Sequence, residues 1–339
     1  MKNKGNRVVI TGTVYNLLFN LLLIPEEDIK RVLFFTCDSI PKAVRQNLKK
    51  QIFIPDMHHI GRFRQFGYII KYRLLSFLFC PGLNSYSIFA QDHLPYMPII
   101  VGRRKYNLVE DGPGQFKINE GLRYVNAAWL SREKLLKNAT WFYRLLNPLL
   151  CGIFGRNEYC EEICISKETA KYIPNYLKGK KKSVLDMHDA WKKSSEEKKN
   201  YILHIFNIYD EDILMLKSRH VIVFTQPFYD DGDLSTLEEH IEVYRKVMAD
   251  YDLNNVVIKT HPRERTDYQK YFPEARVFNK PVPFQLLDLL GLKFTEAATV
   301  CSSAALSIPY PIKVKWVGAK VHPNLLKEYG DFIPEELKN

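Results

Sequence analysis

Short apolar runs with strand character alternate along this chain with segments of helical periodicity, and no other feature of the sequence restricts the fold as strongly. In the first half, the strand-like runs are residues 8–10, 31–37, 85–92, 106–112 and 161–166. Gly12 and Thr13 lie in a small-residue turn after the first run, and a helix is predicted over residues 15–23. Because helices separate the strands, the pattern favours a parallel sheet with helices on its faces.

The same alternation resumes in the second half, after a strongly charged segment. A chain of 339 residues is too long for one ordinary core, so we predict a linker near residues 170–197 that joins two domains, 1–190 and 191–339. Beyond the linker, the strand-like runs are residues 220–227, 255–262, 275–279 and 298–303. Open parallel sheets bind ligands beyond the carboxyl ends of their strands, which predicts an active site in a cleft between the domains.

The composition predicts a basic globular protein with negatively charged partners. Lysine and arginine number 49 against 38 aspartates and glutamates, a surplus of 11. Such a surplus favours nucleotides, anionic sugars, nucleic acid or a phospholipid surface as partners. The run IGRFRQFGYIIKYR at residues 60–73 and the bases at 103–105 leave two interpretations open, which are docking on an anionic membrane and a solvated basic face.

Two further features predict a cytoplasmic protein, with contact at the inner face of the membrane as an open alternative. The most apolar early stretch, residues 8–25, is interrupted by Asn16 and Asn20 and lacks the roughly 20 unbroken apolar residues of a spanning helix. The six cysteines form no CxxC pair and show no spacing typical of zinc ligands. We therefore expect neither disulfides nor a structural zinc.

Polar residues directly follow several of the predicted strands. Each short motif is common in ordinary turns and helix caps, and only the repeated placement at strand ends points to a site. The residues are Glu110, Asp111 and Gly112 in the first domain, and Thr225, Gln226 and Pro227, His261 and Pro262, and Ser302 and Ser303 in the second.

In their order and spacing, these groups resemble the acidic-acidic-Gly, His-Pro and Ser-Ser motifs of bacterial sialyltransferases. Together with the segments FTQP, IKTHPRE, PVPF and CSSA, they make the chain similar to glycosyltransferase family 52. Its members are α2,3-sialyltransferases of lipooligosaccharide and streptococcal capsule synthesis. The resemblance implies a GT-B-like fold of two Rossmann-like domains, with the acceptor on the N-terminal domain and the nucleotide-sugar donor on the C-terminal one.

The resemblance also implies a reaction and its partners. The donor would be CMP-N-acetylneuraminic acid and the acceptor a terminal galactose of a lipid-linked bacterial glycan, with inverting transfer and no metal or other cofactor. The capsule type of streptococci is the subtype that we expect.

Roles for individual residues follow from this chemistry. The leaving group has a single phosphate, so hydrogen-bond donors can meet its developing charge without a metal. His261 would stabilise the phosphate as hydrogen-bond donor or general acid, Ser302 and Ser303 would hold its oxygens, and Asp111 would deprotonate the acceptor. The further donor-binding candidates are Thr225, Gln226, Pro227, Lys259, Pro262, Pro283, Phe284 and Gln285, and the supporting ones are Glu110, Gly112, Gly12 and Thr13.

Two details leave alternatives open. Related enzymes often have an acid after the Pro-Phe pair to bind the ribose, whereas this chain has Gln285, whose amide lacks the charge. In the segment FYDDGD, Asp230 and Asp231 form a second acidic-acidic-Gly motif and compete with Asp111 as the base.

Other functions remain as alternatives. One is transfer of a different sugar by a GT-B enzyme, and another is a basic nucleotide- or nucleic-acid-binding protein without catalysis, although we expect no nucleic acid partner. The acidic triplet at residues 210–212 imitates a metal-binding motif of sugar transferases, and we interpret it as the acidic first turn of a helix.

Overall fold

Two compact units, Met1–Ile202 and Leu203–Asn339, make up the chain, and we call them unit 1 and unit 2. The structure is a computed structural model. It describes residues 6–55, 64, 67–72, 74, 86–94, 96–102, 104–112, 115–116, 125–127, 130–131, 133–134, 137, 152–331, 333–334 and 337.

Within the described residues of unit 1, seven strands form a parallel sheet with short helices between them. The strands are β1 (Arg7–Ile10), β2 (Leu33–Thr36), β3 (Gln51–Phe53), β4 (Ser87–Ala90), β5 (Tyr106–Val109), β6 (Cys160–Ser166) and β7 (Lys181–Leu185). The described α-helices of this part are α1 (Val14–Leu23), α2 (Lys42–Arg45), α3 (Met97–Val101), α4 (Met187–Lys193) and α5 (Glu196–Phe206), the last of which runs across the unit boundary.

The strand order of unit 1 is β3-β2-β1-β4-β5-β6-β7. The chain builds outward from β1 in one direction and from β4 in the other, so the order reverses between these two strands. Both are buried on both faces, as their continuous apolar sequences require. Ligands of open α/β sheets bind at such a switch point, beyond the carboxyl ends of the strands.

Unit 2 repeats this plan with a parallel sheet of five strands in the order β10-β9-β8-β11-β12. The strands are β8 (Val221–Phe224), β9 (Val256–Lys259), β10 (Arg276–Phe278), β11 (Glu296–Thr299) and β12 (Lys313–Trp316). The helices are α6 (Asp210–Lys217), α7 (Leu237–Met248), α8 (Phe284–Leu289), α9 (Ser303–Leu306) and α10 (Pro323–Tyr329). The switch point lies between β8 and β11. The predicted class of two parallel α/β sheets is therefore confirmed.

The structure differs from the sequence-based expectation at the sheet edges. The segment predicted to be a linker contains β7, which pairs in parallel with β6, and also α4. Lys181 and Lys182 are exposed on this edge strand, and edge strands often carry lysines because these discourage pairing with other chains. The lysines therefore interrupt the apolar pattern by which β7 could have been predicted. The compact units divide at Ile202, after the predicted boundary at residue 190.

Each unit has its own apolar core on its sheet. Val8, Ile10 and Ile88 anchor the core of unit 1, and Val223 and Ile258 anchor that of unit 2. In the part of the chain that the structure describes, no helix has the length and apolar character needed to cross a membrane.

Candidate active site

At the switch point of unit 1, the loops after β1, β4 and β5 bring polar residues together. Gly12 and Thr13 follow β1, Gln91 follows β4, and Asp111 follows β5. The backbone N–H of Gly12 donates to Gln91 Oε1, and Gln91 Nε2 donates to Asp111 Oδ1. Since an N–H can only donate, the amide of Gln91 has one orientation, and Oδ1 of Asp111 is held as an acceptor.

Further contacts hold Asp111 from other sides. Its backbone N–H donates to Gln115 Oε1 at 2.8 Å, and its carbonyl accepts from Thr13 Oγ1 at 3.3 Å. The other carboxylate oxygen lies 3.7 Å from His93 Nε2, and the His93 ring stacks on Phe154 with centroids 5.0 Å apart. The carboxylate is half-buried, with 29% of its side chain exposed, so it remains accessible to a substrate.

Glu110, the neighbour of Asp111, is buried and serves as an anchor. Its carboxylate accepts from the Tyr15 hydroxyl of α1 and from the Ser166 N–H, the latter at 2.9 Å. Asn16 Nδ2 also donates to the Glu110 carbonyl at 2.7 Å. Burial raises the pKa of Glu110. This residue therefore ties α1 to the ends of β5 and β6.

The space beside Gly12 is narrow, and a larger residue there would displace the side chain of Leu94. A Cβ atom there would lie 2.7 Å from Leu94 Cδ2 and 3.4 Å from Gln91 Oε1. Gly112 is different, because a Cβ atom would meet nothing within 4 Å, and its carbonyl accepts from the Gln115 N–H in a turn at 3.0 Å.

In unit 2, His261 follows β9 at the carboxyl edge of the sheet. Its backbone N–H is shared between Thr225 Oγ1 at 3.1 Å and Glu264 Oε2 at 3.2 Å. Its ring Nδ1 accepts the Arg263 N–H at 3.3 Å. Because Nδ1 is an acceptor, the single proton of a neutral ring is on Nε2.

The electrostatic surroundings favour the neutral form of His261. Burial, followed by the positive charge of Arg263, lowers the pKa of His261 to about 4. The imidazole is thus neutral near pH 7 and presents Nε2–H as a hydrogen-bond donor. An anion bound there would stabilise the protonated ring and raise the pKa again.

Ser302 and Ser303 follow β11, which is separated from β9 by β8 in the same sheet. Thr299 Oγ1 donates to the Phe224 carbonyl at 3.1 Å and accepts the Ser302 N–H at 2.9 Å, which positions the turn. Ser302 is buried and Ser303 is exposed. The helix that follows, α9, has only four residues, so its dipole is weak and the serine hydroxyls are its main means of binding an anion.

The segment PVPFQ reaches the same edge of the sheet. Pro283 is the N-cap of α8, and Phe284 packs edge-on against Phe224 with ring centroids 5.6 Å apart. Gln285 Nε2 donates to the Ser307 carbonyl at 3.4 Å, which brings its half-buried amide beside the end of α9.

Other donor-binding candidates have internal hydrogen-bond partners. Lys259 is buried, and its Nζ donates to the carbonyls of Thr260 at 3.0 Å and Lys280 at 3.1 Å. Desolvation lowers the pKa of Lys259 to about 8. The Gln226 N–H donates to the Tyr244 hydroxyl at 2.6 Å.

Two prolines among the donor-binding candidates, Pro227 and Pro262, lie after the ends of β8 and β9. Pro227 is buried and its carbonyl accepts the Asp231 N–H at 2.7 Å, while Pro262 is half-buried next to His261.

The competing acids of FYDDGD hold the loop that carries His261. Asp231 forms an ion pair with Arg263 at 2.7 Å, and Asp230 accepts the Arg265 N–H at 3.0 Å. Both carboxylates thus have structural partners in the segment that follows His261.

A family model for glycosyltransferase family 52 matches residues 36–325, which is most of the chain. The chain belongs to glycosyltransferase family 52. The protein is therefore a glycosyltransferase. A relative from Haemophilus influenzae, which carries no functional name, is 32% identical over 244 residues that cover 72% of each chain.

Solved structures show the fold of this family 52 protein to be GT-B-like. The GT-B domain of a sialyltransferase from Photobacterium damselae is 14% identical with a TM-score of 0.52, covering 92% of this chain and 90% of that one. A 2,6-sialyltransferase from Photobacterium sp. JT-ISH-224, solved with the donor product CMP and the acceptor lactose, is 11% identical. Its TM-score is 0.55, and the match covers 92% of this chain and 71% of that one.

Among the described residues of the family 52 protein, no group of three or more His, Cys, Asp or Glu is placed to hold a metal ion. The acidic triplet begins α6, as interpreted from the sequence, and Asp212 accepts the Tyr209 N–H at 2.9 Å and pairs with Lys280 at 2.5 Å.

Sequence reasoning missed three residues that organise these strand ends: Gln91, His93 and Glu264. Gln91 follows β4 directly and His93 lies two residues later, so the rule that identified Asp111 would also have found them. Glu264 had no such signal, because an acid two residues after His-Pro normally indicates a solvated turn.

The membrane-docking prediction falls mostly outside the described residues. Of the run at residues 60–73, the structure describes only Arg64 and residues 67–72, and it describes Arg104 and Lys105 but not position 103.

Proposed function

We propose that this glycosyltransferase moves N-acetylneuraminic acid from a CMP donor to a terminal galactose, with inversion and with α2,3 linkage. The observation that carries the proposal is the placement of His261 with Ser302 and Ser303 at the carboxyl edge of one sheet, where His261 Nδ1 accepts the Arg263 N–H and Nε2–H is left as the donor. One imidazole and two hydroxyls suit a leaving group with one phosphate, because it develops less negative charge than a diphosphate. The sialyltransferase neighbours of known structure support the same choice.

In the proposed reaction, the acceptor oxygen bonds to the anomeric carbon while the bond from that carbon to the CMP phosphate breaks. The departing phosphate oxygen keeps the bonding electron pair and accepts a hydrogen bond from Nε2–H of His261. Ser302 and Ser303 donate hydroxyl hydrogen bonds to the remaining phosphate oxygens. Gln285 binds the ribose hydroxyls, and Phe284 and Pro283 support it.

Asp111 is the proposed base and receives the proton of the acceptor hydroxyl. Gln91 holds one of its oxygens as an acceptor, which keeps the other available for that proton. Asp111 is preferred over Asp231 because Asp231 is committed to the Arg263 guanidinium. Gly12, Thr13 and Glu110 stabilise the turn that carries Asp111.

Nucleotide specificity tests the proposal, and the measurement is the melting temperature. CMP at a hundredfold excess over its dissociation constant should stabilise the protein by about 2.7 kcal/mol, and the shift should persist in excess EDTA. His261→Ala should weaken the shift while the protein stays folded. An equal or larger shift with UDP would assign the enzyme to another nucleotide sugar.

The choice of base is tested by transfer rates to lactose. Asp111→Asn should lower kcat by about 100- to 10,000-fold, the usual range of general base catalysis. Asp231→Asn is the matched control, and it should have a smaller effect because its role is to hold Arg263. Near-normal turnover in Asp111→Asn, combined with loss in Asp231→Asn, would transfer the role of base to Asp231.

The acceptor in the cell is proposed to be a lipid-linked capsular or lipooligosaccharide glycan. A surplus of 11 positive charges supports peripheral binding at the anionic inner face of the membrane, where such an acceptor is assembled.

A further inference from the structure

A buried carboxylate, that of Glu264, lies beneath the loop that carries His261. None of its side-chain surface is exposed. Two donors reach Oε1, the Tyr268 hydroxyl at 2.6 Å and His240 Nε2 at 2.9 Å. Two others reach Oε2, the Thr225 hydroxyl and the backbone N–H of His261, the latter at 3.2 Å. Four donors are enough to solvate a carboxylate inside the protein.

The hydroxyl of Thr225 connects this carboxylate to His261. Thr225 Oγ1 gives its only proton to Glu264, so its lone pairs face outward and accept the His261 N–H at 3.1 Å. Thr225 itself is 2% exposed. It therefore acts inside the unit, on the backbone of His261, and its hydroxyl proton is not free for a donor phosphate.

His240, on α7, is the remaining residue that contacts the Glu264 carboxylate. Its ring is fully buried, and its Nδ1 has no hydrogen-bond partner within the described part of the chain. A buried N–H without an acceptor is costly, which places the ring proton on Nε2, towards Glu264. Tyr244 and Phe228 pack edge-on against the ring with centroids 5.1 Å and 6.3 Å away.

We propose that Glu264 is a positioning residue for His261 and acts through Thr225, with His240 and Tyr268 holding the carboxylate in place. The carboxylate and the hydroxyl fix the His261 N–H from two sides. The Arg263 N–H then donates to Nδ1 of His261, so Nε2–H is the ring donor that remains for a ligand. The identity of the phosphate that receives this hydrogen bond rests on the proposed function, whereas the positioning does not.

The matched pair Thr225→Val and Thr225→Ser tests this role. Valine has the shape of threonine without the hydroxyl, and serine restores the hydroxyl. Thr295→Val is the control, because Thr295 is exposed at the opposite end of the same sheet, where its hydroxyl donates to the His220 carbonyl at 3.2 Å. The readouts are the amide shift and the ring nitrogen shifts of His261 by NMR, and kcat and KM with CMP-sialic acid.

In Thr225→Val we expect a displaced His261 amide signal, a mixture of ring tautomers, and kcat/KM lower by about 10- to 100-fold, as for other residues that orient a reacting group. Thr225→Ser should remain within about threefold of the wild type. Unchanged His261 signals in Thr225→Val, or failure of serine to restore them, would overturn the proposal.

Two measurements keep the test independent of folding and of the proposed function. In the wild-type protein, the His261 amide should be protected from hydrogen exchange and its ring should show the single Nε2–H tautomer, and absence of both would refute the role. Glu264→Gln should disturb the same signals. If the wild type transfers no sialic acid while these NMR results hold, the proposed function fails and the positioning role stands.

Discussion

At the scale of the residue, one strand end holds two basic side chains whose charged forms are disfavoured by burial. Lys259 ends β9, and His261 follows two residues later. Desolvation is the main cause of the lowered pKa in both, to about 8 for Lys259 and about 4 for His261. The Lys259 ammonium donates to the carbonyls of Thr260 and Lys280, so of these two side chains His261 is the one with a ring N–H left for a ligand.

Lys259 leads to a prediction about stability and pH. Its pKa is about 8 in the folded protein against an ordinary 10.5, so the unfolded chain binds more protons between these values. Stability from this group therefore rises as pH increases from 8 to 10.5, by up to about 3 kcal/mol. In urea unfolding across this range, Lys259→Met should lack the rise. Parallel curves for variant and wild type would show that Lys259 is not desolvated.

At the scale of the element, the polar groups of interest come from strand ends, and buried contacts hold those ends together. Glu110 is the best example, since it joins α1 to the turns after β5 and β6 through Tyr15 and Ser166. The acidic-acidic-Gly motif thus contains one structural acid and one accessible acid. The two acids follow the last residue of β5, and Glu110 is buried whereas Asp111 is partly exposed.

Replacing Glu110 by glutamine should separate these two roles. The amide would turn an N–H₂ towards either the Tyr15 hydroxyl or the Ser166 N–H, and we expect a loss of about 1 to 3 kcal/mol in the free energy of unfolding. Glu161→Gln is the control, because Glu161 forms an exposed ion pair with Lys105 and its change should cost less than about 0.5 kcal/mol. Normal stability of Glu110→Gln with lost transfer would instead make Glu110 catalytic.

At the scale of the whole molecule, two parallel α/β units recur in one chain, and each has its own switch point. The excess of positive charge belongs to the chain as a whole, with 49 basic against 38 acidic residues. Long-range attraction to an anionic surface depends on this total and on salt more than on any one contact.

Vesicle sedimentation tests the proposed membrane contact. Each basic residue near an anionic bilayer contributes about 1 kcal/mol, so four or five should hold the protein reversibly on phosphatidylserine vesicles at low salt and release it at high salt. Phosphatidylcholine vesicles are the control, and the triple change of Arg62, Arg64 and Arg73 to glutamate should weaken pelleting. If the unaltered protein does not pellet at low salt, it works without binding the membrane.

The parallel α/β class and the central strands could be predicted from the sequence, because their apolar runs and the intervening helical periodicity are local signals. Three edge strands, β3, β7 and β12, were not predicted, because half-exposed and lysine-bearing strands lack a continuous apolar pattern. Asp111 and His261 are candidates on sequence grounds too, because each directly follows an apolar run with strand character.

The hydrogen-bond partners of those candidates could not be predicted from the sequence. Gln91 orients Asp111 through a hydrogen bond to Gly12, 79 residues earlier in the chain. Thr225 lies 39 residues before Glu264, whose burial no local pattern predicts. The physical reason is that propensity and periodicity act over a few residues, whereas burial and hydrogen-bond pairing depend on segments that meet only when the sheet has formed.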